Sequence, residues 1–270
     1  MALSSRLAII VGGLGGIGTV TAQLLRSQGA KVALLYAPFE AKNVQSTLSK
    51  HFPDSSPSSS TDITTYECDI ASHSSVQAAF AQIKSDAVAF PAILINTAGI
   101  VNLAPLESFP ADDALQHLII NTHGPFLTAQ AFANLYFSAR DEASKSSSSN
   151  PILGGRIVNL ASQAGHVALH NHGPYCASKA GLIGLTKCMA SEWGPRGITA
   201  NSISPGPVWT ELGKKAWADP EARGKYEASV PTGKFAEPHE VARIVSFLVQ
   251  DDALNINGTD VRLDGGYTAR

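Results

Sequence analysis

The stretch LAIIVGGLGGIGTVTAQLLRSQGAKVALLY, residues 7–36, decides how the chain folds. The apolar run Leu7 to Val11 reads as a buried strand, and KVALLY from Lys31 reads as a second. Between them Ile17, Val20, Leu24 and Leu25 recur at helical spacing, and Gly29 stands where a glycine ends a helix. Strand, helix and strand in that order form a βαβ unit with a right-handed crossover. The connection after the first strand is VGGLGGIG, with Gly12, Gly16 and Gly18 in a GxxxGxG pattern. The first glycine permits a tight turn, the second lets main chain approach a pyrophosphate, and the third lets the helix lie close to the sheet. Free amides at the helix N-terminus then face the phosphates. Glycines also serve ordinary tight turns, but here strand, loop, helix and second strand are all present, so the pattern predicts dinucleotide binding.

The alternation continues along the chain. TTYEC from Thr64, AILIN from Ala92, RIVNLA from Arg156, TANSIS from Thr199 and TDVRLD from Thr259 read as strands separated by longer helical patterns. That order predicts a parallel sheet covered on both faces. No repeat or linker divides the 270 residues, so one domain over 1–270 is expected. SSPSSSTD from Ser55 and SKSSSSN from Ser144 read as polar surface loops. A charged fraction of 16% and a net charge of −2 create no strong field, which argues against a nucleic-acid partner. Cys68, Cys176 and Cys188 are odd in number and lack CxxC spacing, so reduced thiols and a cytoplasmic location are expected; Cys176 reads as a small filler. No apolar run reaches about 18 residues, and the start of the chain lacks a long apolar leader, so no membrane association is expected.

The chemistry is carried by Ser162 in VNLAS and by Tyr175 and Lys179 in YCASK. A helix over Tyr175 to Lys179 stacks phenol and ammonium on one face, where the cation favours the phenolate. A phenol with an ordinary pKa of about 10 thereby becomes an acid or base near neutrality. Ser162 is placed to hold a carbonyl or alcohol oxygen while Tyr175 moves its proton. This chemistry needs a hydride carrier, and the glycine loop offers a place for one. At the end of the second strand stand Tyr36, Ala37 and Pro38, neither the carboxylate that binds a ribose 2'-hydroxyl nor the arginine that suits a 2'-phosphate. NAD and NADP therefore both remain, with a lean to NADP, and Lys42 reads as a solvated lysine. His166, His170 and His172 read as a polar loop, and no metal is called for.

The glycine loop, NTAG at Asn96 to Gly99, Ser162, YCASK and PGPVWT from Pro205 follow the order and spacing of the short-chain dehydrogenase/reductase family, which the chain resembles from about Leu7 to Thr268. TELGKKAWADPEAR from Thr210, EWGPRGITANSISPG from Glu192 and PTGKFAEPHEV from Pro231 resemble the polyol and sugar dehydrogenase members. The resemblance implies an α/β fold: one Rossmann-type doubly wound domain with a seven-stranded parallel sheet, helices on both faces and a substrate lid at about 208–232. It implies an NAD(P)-dependent oxidoreductase interconverting a secondary alcohol and a ketone, a polyol and ketose first. It also implies a homotetramer or homodimer joined through helices around Asp112 to Arg140 and Tyr175 to Glu192. The implied catalytic residues are Ser162, Tyr175, Lys179 and Asn121 of INTHG, the last holding a water in a proton relay through Lys179; a buried amide at a helix kink is its other reading, and both can hold. The implied cofactor contacts are Gly12, Gly16, Ile17, Gly18, Tyr36, Asp69, Ile70, Asn96, Ala98, Gly99, Tyr175, Lys179, Pro205, Gly206, Val208 and Thr210. Asp69 either meets adenine or caps the helix beginning near Ser72. Asn96, Ala98 and Gly99 line the adenosine side and steady the sheet, and Val208 and Thr210 receive the nicotinamide carboxamide and phosphate. Gln163, His166, Glu211 and Trp217 are the substrate candidates. The chain departs from the family pattern at Val11, usually threonine, and at Thr97, usually asparagine. Two rival functions stand beside this one: a 3-oxoacyl-thioester reductase, for which Lys214 and Lys215 would supply a basic patch, and a non-catalytic NAD(P)-binding sensor or scaffold.

Overall fold

A computed structural model describes residues 3–53, 62–145 and 153–269. Apart from Asp62 and the helix end at 144–145, the two serine-rich stretches lie outside the described residues. Seven parallel strands, β1 (Arg6–Val11), β2 (Lys31–Tyr36), β3 (Ile63–Glu67), β4 (Phe90–Asn96), β5 (Gly155–Leu160), β6 (Ile198–Pro205) and β7 (Asp260–Leu263), form one sheet in the order β3-β2-β1-β4-β5-β6-β7. Every strand read from the sequence is present. β4 begins earlier than AILIN because Phe90 and Pro91 also pair with β1; Pro91 has no N–H to give, and the register slips by one residue between Leu7 and Ala8. The helices are α1 (Gly16–Ser27), α2 (Val44–His51), α3 (His73–Asp86), α4 (Ala111–Leu118), α5 (Gly124–Lys145), α6 (Gly173–Trp193), α7 (Glu211–Ala216), α8 (Pro220–Ser229) and α9 (Pro238–Leu248).

Strand alternation divides the core in two. Leu7, Ile9 and Val11 pack with Phe80 of α3 and Phe132 and Tyr136 of α5. Ala8 and Ile10 turn to the other face, against Leu25 of α1 and Val241 and Val245 of α9. Being buried on both sides explains why these strands read as continuous apolar runs. The helix expected around Asp112 to Arg140 is interrupted by a wider π-turn at Ile119–His123, where the Gly124 amide bonds Ile119 rather than the residue four before it. Pro125 has no N–H to offer the Asn121 carbonyl, so a regular helical turn cannot continue through Asn121.

At the N-terminal edge of the sheet two buried guanidinium groups share one carboxylate. Arg6 (3% exposed) donates to Asp251 Oδ2 at 2.6 Å, and Arg156 (1% exposed) donates to Asp251 Oδ1 at 3.1 Å. Burial lowers the Arg156 pKa, and Asp251 opposes that shift. The Asp251 side chain is 60% exposed, so water weakens the pairing but lets one carboxylate tie β1 and β5 to the segment after α9. Asp251→Asn leaves both cations without a counter-charge and is expected to lower stability by about 1–3 kcal/mol. An unchanged urea midpoint would show that the shared carboxylate does not stabilise the fold.

Candidate active site

The glycine loop closes through three different contacts. Gly12 has φ +75°, and a Cβ there would lie 2.8 Å from Ala98 N. A Cβ on Gly18 would collide with the Gly12 carbonyl oxygen, and one on Gly16 would lie 2.9 Å from Thr210 Cγ2. Gly15 at the start of α1 has no side chain to cap the helix, so the first-turn amides of Gly16, Ile17 and Gly18 are available to an anionic ligand. This cradle of main chain fits a pyrophosphate. Thr97, one of the departures from the family pattern, donates through Oγ1 to Val11 O at 2.7 Å and to Gly12 O at 3.2 Å, fastening the segment after β4 to the loop.

Other sequence-derived cofactor positions fall into two groups. Pro205 ends β6, and Ala98, Gly99, Gly206, Val208 and Thr210 lie on the segments that follow β4 and β6. Gly206 N donates to Leu263 O, Val208 bridges Ala236, and Thr210 Oγ1 caps α7 by accepting from Gly213 N at 3.0 Å. The Asn96 side chain is instead buried in the sheet: it donates to Asn159 Oδ1 at 2.9 Å and accepts from Thr128 Oγ1 at 2.8 Å. These bonds link β4 to β5 and to α5. Ile70 packs against Gly124, where a Cβ would stand 2.9 Å from Ile70 Cδ1. Asp69 does not cap α3; Ser72 does, accepting from Ser75 N, while Asp69 Oδ1 accepts from Ala71 N at 2.9 Å. Tyr36 ends β2, and just beyond it Glu40 Oε2 accepts from Ala37 N at 2.9 Å. The sequence reading missed this acid, although Pro38 followed by a glutamate is a recognisable helical-turn start.

Ser162 stands at the C-terminal end of β5, where its Oγ accepts from Ala164 N at 3.2 Å. Tyr175 and Lys179 are one turn apart on α6, with Nζ 5.7 Å from the phenol ring centroid. Lys179 Nζ donates to Leu160 O at 2.8 Å, and burial pulls its pKa down to about 8. Burial raises the Tyr175 pKa, while the Ser162 hydroxyl opposes that rise. This direction is opposite to the lowering expected from Lys179, whose ammonium is directed at Leu160 O. Asn121 Oδ1 accepts from Ile100 N at 2.8 Å, and its Nδ2 donates to Ile100 O at 2.9 Å and to Ser178 Oγ at 3.0 Å. A Cβ on Gly99 would be 3.1 Å from Asn121 Oδ1 and 3.4 Å from Lys179 Nζ, so these two groups share one small space. Asn121 thus sits at a kink and beside Lys179 at once. His117, also missed, is fully buried; it accepts from Asn102 N at 3.0 Å and lies in a T-shaped arrangement with the Tyr175 ring.

The four substrate candidates separate. Gln163 follows Ser162 and accepts at Oε1 from Tyr226 OH at 3.1 Å. Trp217 packs on Tyr226 and Phe235, with centroids 5.0 and 5.2 Å away. His166 Nε2 is engaged by Asp260 Oδ2 at 2.8 Å and Ser204 Oγ at 3.2 Å. Glu211 is exposed at the start of α7 and pairs with Lys214 at 2.9 Å. The placement of these last two does not favour substrate contact, because His166 has its Nε2 occupied and Glu211 faces solvent. The aromatic group Tyr226, Phe235 and Tyr267, and the Asp260 carboxylate that engages His166, were not legible in the sequence, since each finds its partners only when separate segments of the chain are packed together.

A family model described as Enoyl-(Acyl carrier protein) reductase matches residues 12–268. D-threitol dehydrogenase of Mycolicibacterium smegmatis is 38% identical over 272 residues, covering 99% of this chain and 95% of the relative. NAD-dependent glycerol dehydrogenase of Listeria innocua is 34% identical over 270 residues, covering 99% and 96%. The crystal structure of a gluconate 5-dehydrogenase from Burkholderia cenocepacia, in complex with NADP and tartrate, superposes with a TM-score of 0.85 at 29% identity, covering 99% of this chain and 97% of that one. With the glycine cradle, Ser162, Tyr175 and Lys179 gathered at one edge of a seven-stranded parallel sheet, these matches establish that the chain belongs to the short-chain dehydrogenase/reductase family and is an NAD(P)-dependent oxidoreductase acting on secondary alcohols and ketones.

Proposed function

We propose that this oxidoreductase interconverts a small polyol and its ketose, with Ser162, Tyr175, Lys179 and Asn121 as its catalytic residues. The convergence of these four side chains beside the glycine cradle carries the mechanism, and the similarity to threitol and glycerol dehydrogenases supports the substrate class. Gly12, Gly16, Gly18 and the first-turn amides of α1 would hold the pyrophosphate, and the bound nicotinamide would supply or accept the hydride. Ser162 holds the reacting oxygen by a hydrogen bond. In reduction Tyr175 donates its proton to that oxygen, and in oxidation it accepts one. Lys179, with a pKa of about 8, is mostly protonated at neutral pH, so it can place positive charge beside the phenol and pass a proton on toward Asn121. A sensor or scaffold has no use for this proton path. The segment at about 208–232, carrying α7 and α8, is proposed as the substrate lid.

Assembly as a homotetramer or homodimer through α4 to α6 is proposed as well, supported by exposed Leu115 and Leu118 on α4 and by the exposed small face Ala177, Gly181 and Gly184 on α6. The free thiols Cys68, Cys176 and Cys188 support a cytoplasmic location.

Polyols, ketoses and acetoacetyl thioesters, each tried with NAD and NADP, test the substrate class; turnover of the thioester alone would replace this reading with that of a thioester reductase. Tyr175→Phe is expected to bind cofactor normally but lose about 100-fold or more in kcat. Retained activity would refute the assigned proton donor. Glu40 places a carboxylate just beyond β2, where negative charge repels a 2'-phosphate. Glu40→Gln is expected to raise the affinity for NADP relative to NAD about tenfold, read by cofactor fluorescence titration; an unchanged ratio would remove Glu40 from cofactor choice. Lys179 binds its proton less readily in the folded state than at the ordinary 10.5, so its burial opposes folding below pH about 8, and the penalty fades as pH rises toward the ordinary value. Lys179→Met should therefore abolish activity yet raise stability at pH 7 by about 1–3 kcal/mol, a gain that shrinks by pH 10 in parallel denaturation curves. A destabilised variant at pH 7 would contradict this account.

A further inference from the structure

The turn that begins at Ser162 is joined to α8 by a side-chain contact that sequence spacing does not suggest. Gln163, next to the catalytic serine and only 3% exposed, accepts at Oε1 from the Tyr226 hydroxyl at 3.1 Å. The Tyr226 ring is fixed on several sides, with Trp217 at 5.0 Å, Phe235 at 5.3 Å and Tyr267 stacked at 5.5 Å. Gly206 faces the contact directly: a Cβ there would lie 3.1 Å from Gln163 Oε1 and 3.2 Å from Tyr226 OH, so a side chain would crowd the pair. Burial pushes the Tyr226 pKa up to about 12, which keeps the hydroxyl a donor across the working pH range.

An amide has an acceptor end and a donor end. With Oε1 engaged by Tyr226, Nε2 is the end left for a ligand, and among the described residues no group accepts from it. It belongs to the residue adjoining Ser162, so it is suited to an oxygen close to the reacting one. We propose that Tyr226 is a positioning residue that latches the lid to the catalytic turn and fixes the Gln163 amide so that Nε2 donates to a second hydroxyl of the substrate. The second part rests on the polyol reading; the latch does not. A substrate with one oxygen gains nothing from Nε2, whereas a polyol does, so the contact selects for vicinal hydroxyls.

Tyr226→Phe keeps the ring and removes only the donor. The ratio of kcat/KM for the preferred polyol to kcat/KM for a secondary alcohol with a single hydroxyl is expected to fall about tenfold, through polyol KM more than kcat. Gln163→Leu should lower the same ratio at least as far, and the double variant should fall no further, because both changes remove one linkage. Equal losses on both alcohols, or additive losses in the double variant, would overturn the positioning role. Limited trypsinolysis after Arg223 and Lys225 reads the latch without any substrate: cleavage should be about threefold or more faster in Tyr226→Phe than in wild type. Unchanged cleavage would overturn the latch. If wild type turns over no polyol, the second-hydroxyl role falls with the polyol reading, and the proteolysis result alone decides the latch.

Discussion

The close approach of main chain to main chain at Gly12 holds the site together. This glycine lies at the end of β1 against the segment after β4, at the point where the strand order β3-β2-β1-β4 reverses direction. Helices leave the sheet to opposite faces there, and a crevice opens beyond the strand ends. A side chain at Gly12 would strike Ala98, and one at Gly18 would strike the Gly12 carbonyl, so α1 could not bring its N-terminus to the crevice. Thr97 then fastens the opposite wall to Val11 and Gly12. Placing a phosphate cradle and a proton donor on one edge follows from parallel topology, which brings the C-terminal ends of β1, β4, β5 and β6 together.

Behind that edge, buried polar groups hold the catalytic helices in register. Asn96, Asn159, Thr128 and Thr186 link β4 and β5 to α5 and α6. Asn121 and Thr122 in the π-turn both bond α6, which carries Tyr175 and Lys179. A satisfied network of this kind is directional in a way that apolar packing is not. It fixes helices whose other buried side chains, such as Phe132 and Tyr136 on α5 and Leu182 and Met189 on α6, are apolar. Lys179 is the exception, a buried ammonium bonded to one carbonyl, and its desolvation is a local destabilisation of the kind found at functional sites.

Much of this was legible in the sequence. All seven strands, the glycine loop, Ser162, Tyr175 and Lys179 carry local signals: an apolar run ending in a turn, a fixed helical spacing, a glycine where no other residue fits; Asn121 was marked only by the family resemblance. Pro125 even announces the irregular turn at Asn121, because a missing N–H acts on the residue four positions before it. Less legible were roles that depend on which of two partners a polar group finds. Asp69 was open between adenine and a helix cap until Ser72 proved to be the cap, and the Tyr175 pKa depends on a desolvation that spacing cannot express.

The sequence by itself determined the fold and the cofactor class and pointed to the residues proposed for proton transfer, because these rest on local patterns or on a repeating period. Only the tertiary structure decided what surrounds the proposed substrate contacts. Gln163, Gly206, Tyr226 and Tyr267 span more than a third of the chain and converge at one point, and His166 finds Asp260 across the sheet. Such contacts are set by the packing of whole elements, whose relative positions no local pattern records.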